Sequence, residues 1–401
     1  MSLRRVRLWT DLSLVRATTT VHLLEPLSPA VLAHHDREPR RAALGAGWQR
    51  AAPERFVLAP LEDSDLAVLP FAWEDTLTSP DLLQAARAFA ARAAAAGRST
   101  LVFCHDDRVL PVDLPRAVVF RPSLWGARRA AADVALPGWV LEPAEGPVSP
   151  RPWEPVPSVG FCGFSPPLGV PRPPGLPGVL HAGKDHVRTA ATRLGLSDRL
   201  GLAPQLVHRS AALRVLLRDP RVRAEVVLRS DRFRLTRTGF APVQDLDPTV
   251  YRREYVENLL GTDYALSVRG YGNFSFRFYE ALAAGRVPLL VDTDCVLPLA
   301  REVDWPALVV RVPARRTRSL VELLLAEHAA LDPDAWRERQ LRARSTWTER
   351  LTVHGFFSTV HARLVRAAQD RPLHGPEGHA ALLACLSDPA PAWPGEGSGR
   401  K

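Results

Sequence analysis

The stretch 264–298, YALSVRGYGNFSFRFYEALAAGRVPLLVDTDCVLP, holds the densest group of residues able to do chemistry in this chain. Arg269, Gly270, Gly272 and Asn273 fall in a short turn, and Ser275, Arg277 and Glu280 open a helical pattern just after it. Residues three or four apart share a helix face, so Arg277 and Glu280 point together. A carboxylate accepts hydrogen bonds from the two vicinal hydroxyls of a ribose, and a guanidinium grips a diphosphate through two parallel bonds. The pair therefore suits a nucleoside diphosphate. An Arg and a Glu at this spacing also make an ordinary surface ion pair, worth about a few tenths of a kcal/mol. What separates this pair from that case is its setting of strand, glycine-rich turn, helix and a second, proline-led strand.

That setting fixes where the side chains must lie. In open α/β sheets ligands sit beyond the carboxyl ends of the strands, and the run 264–268 delivers Arg269, Gly270 and Gly272 to such an end. Glycines there let backbone approach a phosphate, and Ser275 is placed to cap a helix whose unpaired N–H groups attract an anion. The same alternation fills the second half: helices at 209–218, 249–260 and 275–284, strands at 222–229, 264–268 and 287–291, then helices near 317–330, 334–349 and 356–369.

The first part also alternates. Runs at 4–9, 66–70, 100–105 and 117–120 read as buried strands. Between them Ser79 caps and Pro80 opens a helix with Leu82, Leu83, Ala86, Phe89, Ala90 and Ala93 as its apolar stripe and Gly97 at its end. Strand, helix, strand in sequence implies a parallel sheet, so the expected class is α/β with two doubly wound domains. The proline-dense stretch 141–157 cannot continue a helix or a central strand and marks a boundary. The expected domains are 1–150 and 151–345, followed by a helix over 346–370 that returns to the first domain and a loose tail over 371–401. A second proline-rich stretch, 166–178, reads as an exposed loop.

At 401 residues the chain suits two domains of ordinary size. Its 46% hydrophobic and 24% charged residues describe a folded globular chain and exclude a disordered one. The formal charge of +9 admits nucleic acid, an anionic membrane or a phosphorylated small molecule as partner. Nearly all of it is Arg scattered beside acidic neighbours, with Lys184 and Lys401 the only lysines. No continuous basic tract interleaved with aromatics runs through it, so no nucleic-acid partner is expected. Cys104, Cys162, Cys295 and Cys385 have no zinc or redox spacing and read as buried thiols of a reducing compartment. The N-terminus meets Asp11 before an apolar run of signal length develops, and no stretch approaches the ~20 apolar residues that span a bilayer. The expectation is a cytoplasmic protein with at most peripheral membrane contact.

RGYGNFSFRFYEALAAGRVPLL followed by DTDCVLP closely resembles the signature of exostosin-like glycosyltransferases: an Arg-Gly turn, a Ser-Phe-Arg helix start, a Glu-Ala-Leu core and a downstream Leu-Pro. Weaker resemblance extends to RSAALRVLLRDPRVRAEVVLRSDRF, SVGFCGF, SDLAVLPFAW and LVFCHDD, covering about residues 64–357. The resemblance implies a GT-B fold, two Rossmann-like domains facing a central cleft. It further implies a nucleotide-sugar donor, a UDP-sugar by family habit, held mainly by the second domain. A glycan or other hydroxyl would be the acceptor, with inversion at the anomeric carbon, no catalytic metal and no cofactor. By carry-over Glu280 would contact the ribose, and Arg269 and Arg277 the diphosphate; Arg229, at a strand end of the same sheet, would add a phosphate-binding cation. Retaining relatives carry an acid eight positions before the ribose-binding Glu, where this chain has Gly272.

Inverting displacement calls for a general base on the acceptor side. Asp107, after the strand TLVFCH, is the first candidate, with Asp106, His105, Glu74 and Asp75 on the same rim. Asp292 and Asp294 match a short metal-holding motif of another transferase fold, but the same spacing recurs at Asp63 and Asp65 and at Asp245 and Asp247. A turn at a strand end is the expectation for them. The alternative reading is a non-catalytic nucleotide-sugar or glycan-binding protein on the same fold.

Overall fold

In the computed structural model the chain is described over residues 4–15, 21–28, 39–143, 146–165, 187, 190–191, 204–229, 233–236, 239–242 and 248–393. It forms two compact units, one of Met1–Leu141, Cys295–Trp305 and Ser345–Lys401, the other of Glu142–Asp294 and Pro306–Arg344.

The first unit begins with β1 (Val6–Trp9), α1 (Pro39–Arg55), β2 (Phe56–Leu58), β3 (Leu66–Val68), α2 (Pro80–Ala95), β4 (Thr100–Phe103), β5 (Ala117–Arg121) and β6 (Asp133–Ala135). Its six strands pair in parallel, in the order β2-β1-β3-β4-β5-β6. α2 follows the sequence closely: Ser79 Oγ accepts from Leu82 N at 3.3 Å, Pro80 opens the helix, and Ala86, Phe89, Ala90 and Ala93 are buried. Phe89 stacks on Trp9 at 4.3 Å, which ties the helix to the sheet.

The second unit contains β7 (Ser158–Phe164), α3 (Pro204–Arg218), β8 (Arg223–Arg229), β9 (Phe233–Thr236), β10 (Gly239–Pro242), α4 (Pro248–Leu260), β11 (Tyr264–Val268), α5 (Phe276–Ala283), β12 (Val287–Asp292), β13 (Val310–Pro313), α6 (Leu320–Ala329) and α7 (Pro333–Thr346). Its sheet runs β10-β9-β8-β7-β11-β12-β13, parallel from β8 to β13, with the β9–β10 hairpin antiparallel at one edge. β11 and β12 are buried along their whole length, as central parallel strands covered on both faces must be. Val159, Phe161, Leu266, Val268, Leu289 and Val291 pack there with Leu213 and Leu216 of α3, Leu320 and Leu324 of α6 and Trp336 of α7.

α5 stops at Gly285, whose φ of +58° is open to glycine at little cost and ends the helix before β12. Gly160 of β7 serves close packing. A Cβ there would collide with Thr262 Oγ1 and come within 3.0 Å of Asn258 O and Oδ1, so α4 approaches the sheet only over a glycine. Arg151, in the proline-dense stretch, is packed and not slack, since its carbonyl accepts from Trp336 Nε1 at 3.1 Å.

Past the second unit the chain continues as α8 (Val353–Asp370) and α9 (Gly375–Leu386), both in the first unit. Phe357 of α8 lies 5.3 Å from Trp48 of α1. The loose tail expected over 371–401 is corrected in part: Gly375–Leu386 is helical, Leu382 and Leu386 are buried, and Gly375 N donates to Gly97 O at 2.8 Å. Two buried apolar residues and a backbone hydrogen bond to the turn after α2 hold a segment whose Pro and Gly suggested slackness. The expected loop at 166–178 lies outside the described residues. Among the described residues no helix is long and apolar enough to cross a membrane.

One buried carboxylate joins the amino ends of β7 and β11. Asp263, 1% exposed, accepts from Ser158 N (2.8 Å), Ser158 Oγ (2.6 Å) and Arg151 Nε (2.8 Å). Removing one partner of a buried ion pair strands the other, at about 3–5 kcal/mol. Asp263→Ala is therefore expected to lower the unfolding free energy by about that amount in urea denaturation, and a loss under about 1 kcal/mol would contradict this role.

Candidate functional site

The strand order places a topological switch in the second unit. β8, β7, β11, β12 and β13 stand in the order 2-1-3-4-5, so the crevice opens between the carboxyl ends of β7 and β11, where such sheets bind ligands. Arg209 of α3 spans it, donating from Nη1 to Phe164 O at 3.0 Å and from Nη2 to Arg269 O at 3.2 Å. Its Nε is buried with no hydrogen-bond partner among the described residues, and burial lowers its pKa from the usual arginine value.

Arg269 follows β11 directly and is 4% exposed, with its Nη2 on Tyr271 O and its Nε 3.3 Å from Gly272 O. The guanidinium thus folds over its own turn, which Gly270 N closes with a bond to Phe274 O at 2.8 Å. Asn273 ties this turn to the one after β12, accepting from Thr293 Oγ1 and donating to Thr293 O at 3.2 Å. Neither Gly270 nor Gly272 has a positive φ, and a Cβ at Gly270 would meet only Phe274 O at 3.8 Å, so the turn itself does not require glycine at 270. Ser275 has the extended backbone of an N-cap, yet its hydroxyl makes no capping bond; that corrects the expectation of a side-chain cap.

α5 inverts the usual pattern. Phe276 is 55% exposed while Arg277 is 7% exposed, because Arg277 turns inward against α4. Its Nη2 donates to Asn258 Oδ1 at 2.6 Å, and its Cζ lies 5.0 Å from the Tyr255 ring and 5.9 Å from that of Phe161. Its Nε and Nη1 are buried without a hydrogen-bond partner among the described residues. Aromatic faces offset part of the desolvation of a cation, but unpaired N–H groups still cost about 1–3 kcal/mol each. Glu280, with 18% of its side chain exposed, accepts from the Tyr255 hydroxyl at Oε2, and its Oε1 stands 3.8 Å from Arg252 Nη1. Arg277 and Glu280 are thus brought together, with Tyr255 between them.

Arg229, at the end of β8, reaches the same helix one turn earlier. It donates from Nη2 to Tyr251 O at 2.7 Å, stacks 4.4 Å from the Tyr251 ring and lies 3.6 Å from Glu254 Oε2. Its Nε is buried and has no hydrogen-bond partner among the described residues. Tyr251, Glu254, Tyr255 and Asn258 were not anticipated from the sequence. They form a polar stripe at helical spacing along PTVYRREYVENLL, a signal that was available.

Asp292 ends β12 and accepts from Arg311 Nε of β13 at 2.6 Å, which occupies it in a buried cross-strand ion pair. Asp294 sits in a turn with φ +68°. Among the described residues no group of three or more His, Cys, Asp or Glu side chains is placed to hold a metal ion.

In the first unit the acidic candidates have unlike surroundings. Asp107 lies half-buried in the loop after β4. Its neighbour Asp106 is gripped by Arg108 through Nε (3.0 Å) and Nη2 (2.6 Å), and that pairing holds its carboxyl below the usual range. Glu74, on the turn after β3, accepts from His105 N at 2.9 Å through Oε1, while Oε2 is buried with no partner. Burial raises the pKa values of Glu74 and of Asp75. Trp73 is 5% exposed and bonded to Pro111 O at 3.0 Å, a packing role.

A carboxyl whose folded pKa is raised favours folding below its unfolded value and loses that contribution as pH rises through the folded one. The parent is therefore expected to lose stability relative to Glu74→Gln as pH rises from below 4.5 toward neutrality, read from urea midpoints. Equal slopes for the two would show that burial does not govern this carboxyl.

No family model matches this chain. A 75-residue stretch is 36% identical to the Exostosin-1 homolog of Caenorhabditis elegans, covering 19% of this chain and 20% of that protein. The match thus spans about a fifth of the length of the curated relative.

Proposed function

We propose that the chain is a glycosyltransferase of the GT-B class whose second unit holds a nucleotide-sugar donor, with a UDP-sugar as the first choice. One observation carries the reading. At the switch point of a parallel sheet, a buried Arg277 keeps two guanidinium nitrogens, Nε and Nη1, without acceptors among the described residues, beside a polar, carboxylate-bearing Glu280. A diphosphate supplies the missing acceptors, and the ribose supplies hydroxyls for the carboxylate. The stretch resembling exostosin-like glycosyltransferases and the partial match to an exostosin homolog support the same assignment.

In this reading Arg229, Arg269, Arg277 and the amino end of α5, with Gly270, Gly272, Asn273 and Ser275 forming its approach, take up the charge that develops on the leaving diphosphate. The acceptor hydroxyl oxygen bonds to the anomeric carbon from the face opposite the diphosphate. The bond from that carbon to the phosphate oxygen breaks, and its electron pair leaves with the diphosphate. A carboxylate of the first unit takes the hydroxyl proton, Asp107 being the residue that the resemblance favours. Inversion fits Gly272 in the place of the acid that retaining relatives carry. Metal-independent transfer fits an Asp292 that is paired with Arg311.

Glu280→Ala is expected to abolish nucleotide-sugar binding, measured by titration calorimetry, while the circular dichroism spectrum stays that of the parent. A variant that binds as tightly as the parent would falsify the ribose assignment. Transfer is expected to persist in excess chelator. Activity lost to chelator and restored by manganese would instead put Asp292 and Asp294 to work as metal ligands.

A further inference from the structure

We propose that Tyr255 is a positioning residue that presets Glu280 for a ribose, and so makes the site select ribonucleotides over deoxyribonucleotides. The proposal rests on the reading of Glu280 as the ribose-binding carboxylate. Glutamate is a poor receptor when left to itself, because its side chain must give up rotamer freedom on binding and its two oxygens are equivalent until something distinguishes them. Tyr255 does so here. Its hydroxyl donates to Oε2, while among the described residues Oε1 has only Arg252, at 3.8 Å and with 44% of its side chain exposed. One oxygen is thus committed to the protein, and the other lies beyond hydrogen-bond reach of its nearest cation and is left to accept a ribose hydroxyl.

The anchor is itself rigid. Tyr255 projects from the middle of α4, has two side-chain torsions, and lies with its ring 5.0 Å from the Arg277 guanidinium. Asn258, three residues on, holds that guanidinium at 2.6 Å, so a single helix face orients both the carboxylate and the cation. Burial raises the pKa of the Tyr255 hydroxyl, and the charge of Glu280 adds to this against the opposing effect of Arg277. The hydroxyl therefore keeps its proton, and its role as donor, at neutral pH.

The test compares the full-length parent with Tyr255→Phe and Glu280→Gln, titrating each with uridine diphosphate and with 2′-deoxyuridine diphosphate. Phenylalanine keeps the ring beneath Arg277 and removes only the hydroxyl. The parent is expected to prefer the ribonucleotide by about tenfold, the size of one hydrogen bond to a charged group. Tyr255→Phe should lose most of that preference by weakening the ribonucleotide alone, and Glu280→Gln should lose it as well. If Tyr255→Phe keeps the parent's preference, or weakens both nucleotides equally, while Glu280→Gln loses it, the positioning role is overturned and the ribose reading stands. A parent that binds neither nucleotide, or binds both equally, overturns the ribose reading and the proposal together.

Discussion

A guanidinium cannot be left bare inside a protein, and the candidate site depends on how α4 accommodates Arg277. That side chain is buried between aromatic rings and holds one hydrogen bond, to Asn258, with Nε and Nη1 left over. The arrangement costs free energy and persists because the surrounding sheet and helices over-determine it. Asn258 is positioned in turn by its own bond to Glu225 O at 2.7 Å and by the close approach of α4 to Gly160. The chain of dependence runs from a missing Cβ in β7, through one helix face, to a cation at the mouth of the sheet.

The second unit was legible where the pattern is strong. The strands 264–268 and 287–291 are recovered almost residue for residue, because central parallel strands read as unbroken apolar runs. The pairing of Arg277 with Glu280 on one face also follows from helical spacing alone. The hairpin β9–β10 and the short strands β2 and β6 were not foreseen, since three- or four-residue edge elements carry little periodicity. The inversion of Phe276 and Arg277 escaped for a different reason. Binary patterning puts the aromatic inside and the cation outside, and only the aromatic and amide face of α4 reverses that preference here. Tyr255 and Asn258 lie in a helix that looked like any polar surface helix until its partners were in place.

The acidic residues divide in the same way, by environment rather than by motif. Asp292 and Asp106 have the spacing or location of functional carboxylates, yet each is committed to an arginine. Glu74 and Asp75, on the same rim as Asp106, hold buried oxygens without partners among the described residues and have raised pKa values. Sequence can propose a carboxylate for a task, but the desolvation and pairing that decide its chemistry arise only from packing.

The account is tested most directly by a crystal structure of the chain with uridine diphosphate bound. It predicts a ribose hydroxyl within hydrogen-bond distance of Glu280 and a phosphate oxygen at Nε or Nη1 of Arg277. A nucleotide seated elsewhere, with Glu280 still engaged by Tyr255 and Arg252 and touching no ligand, would contradict it.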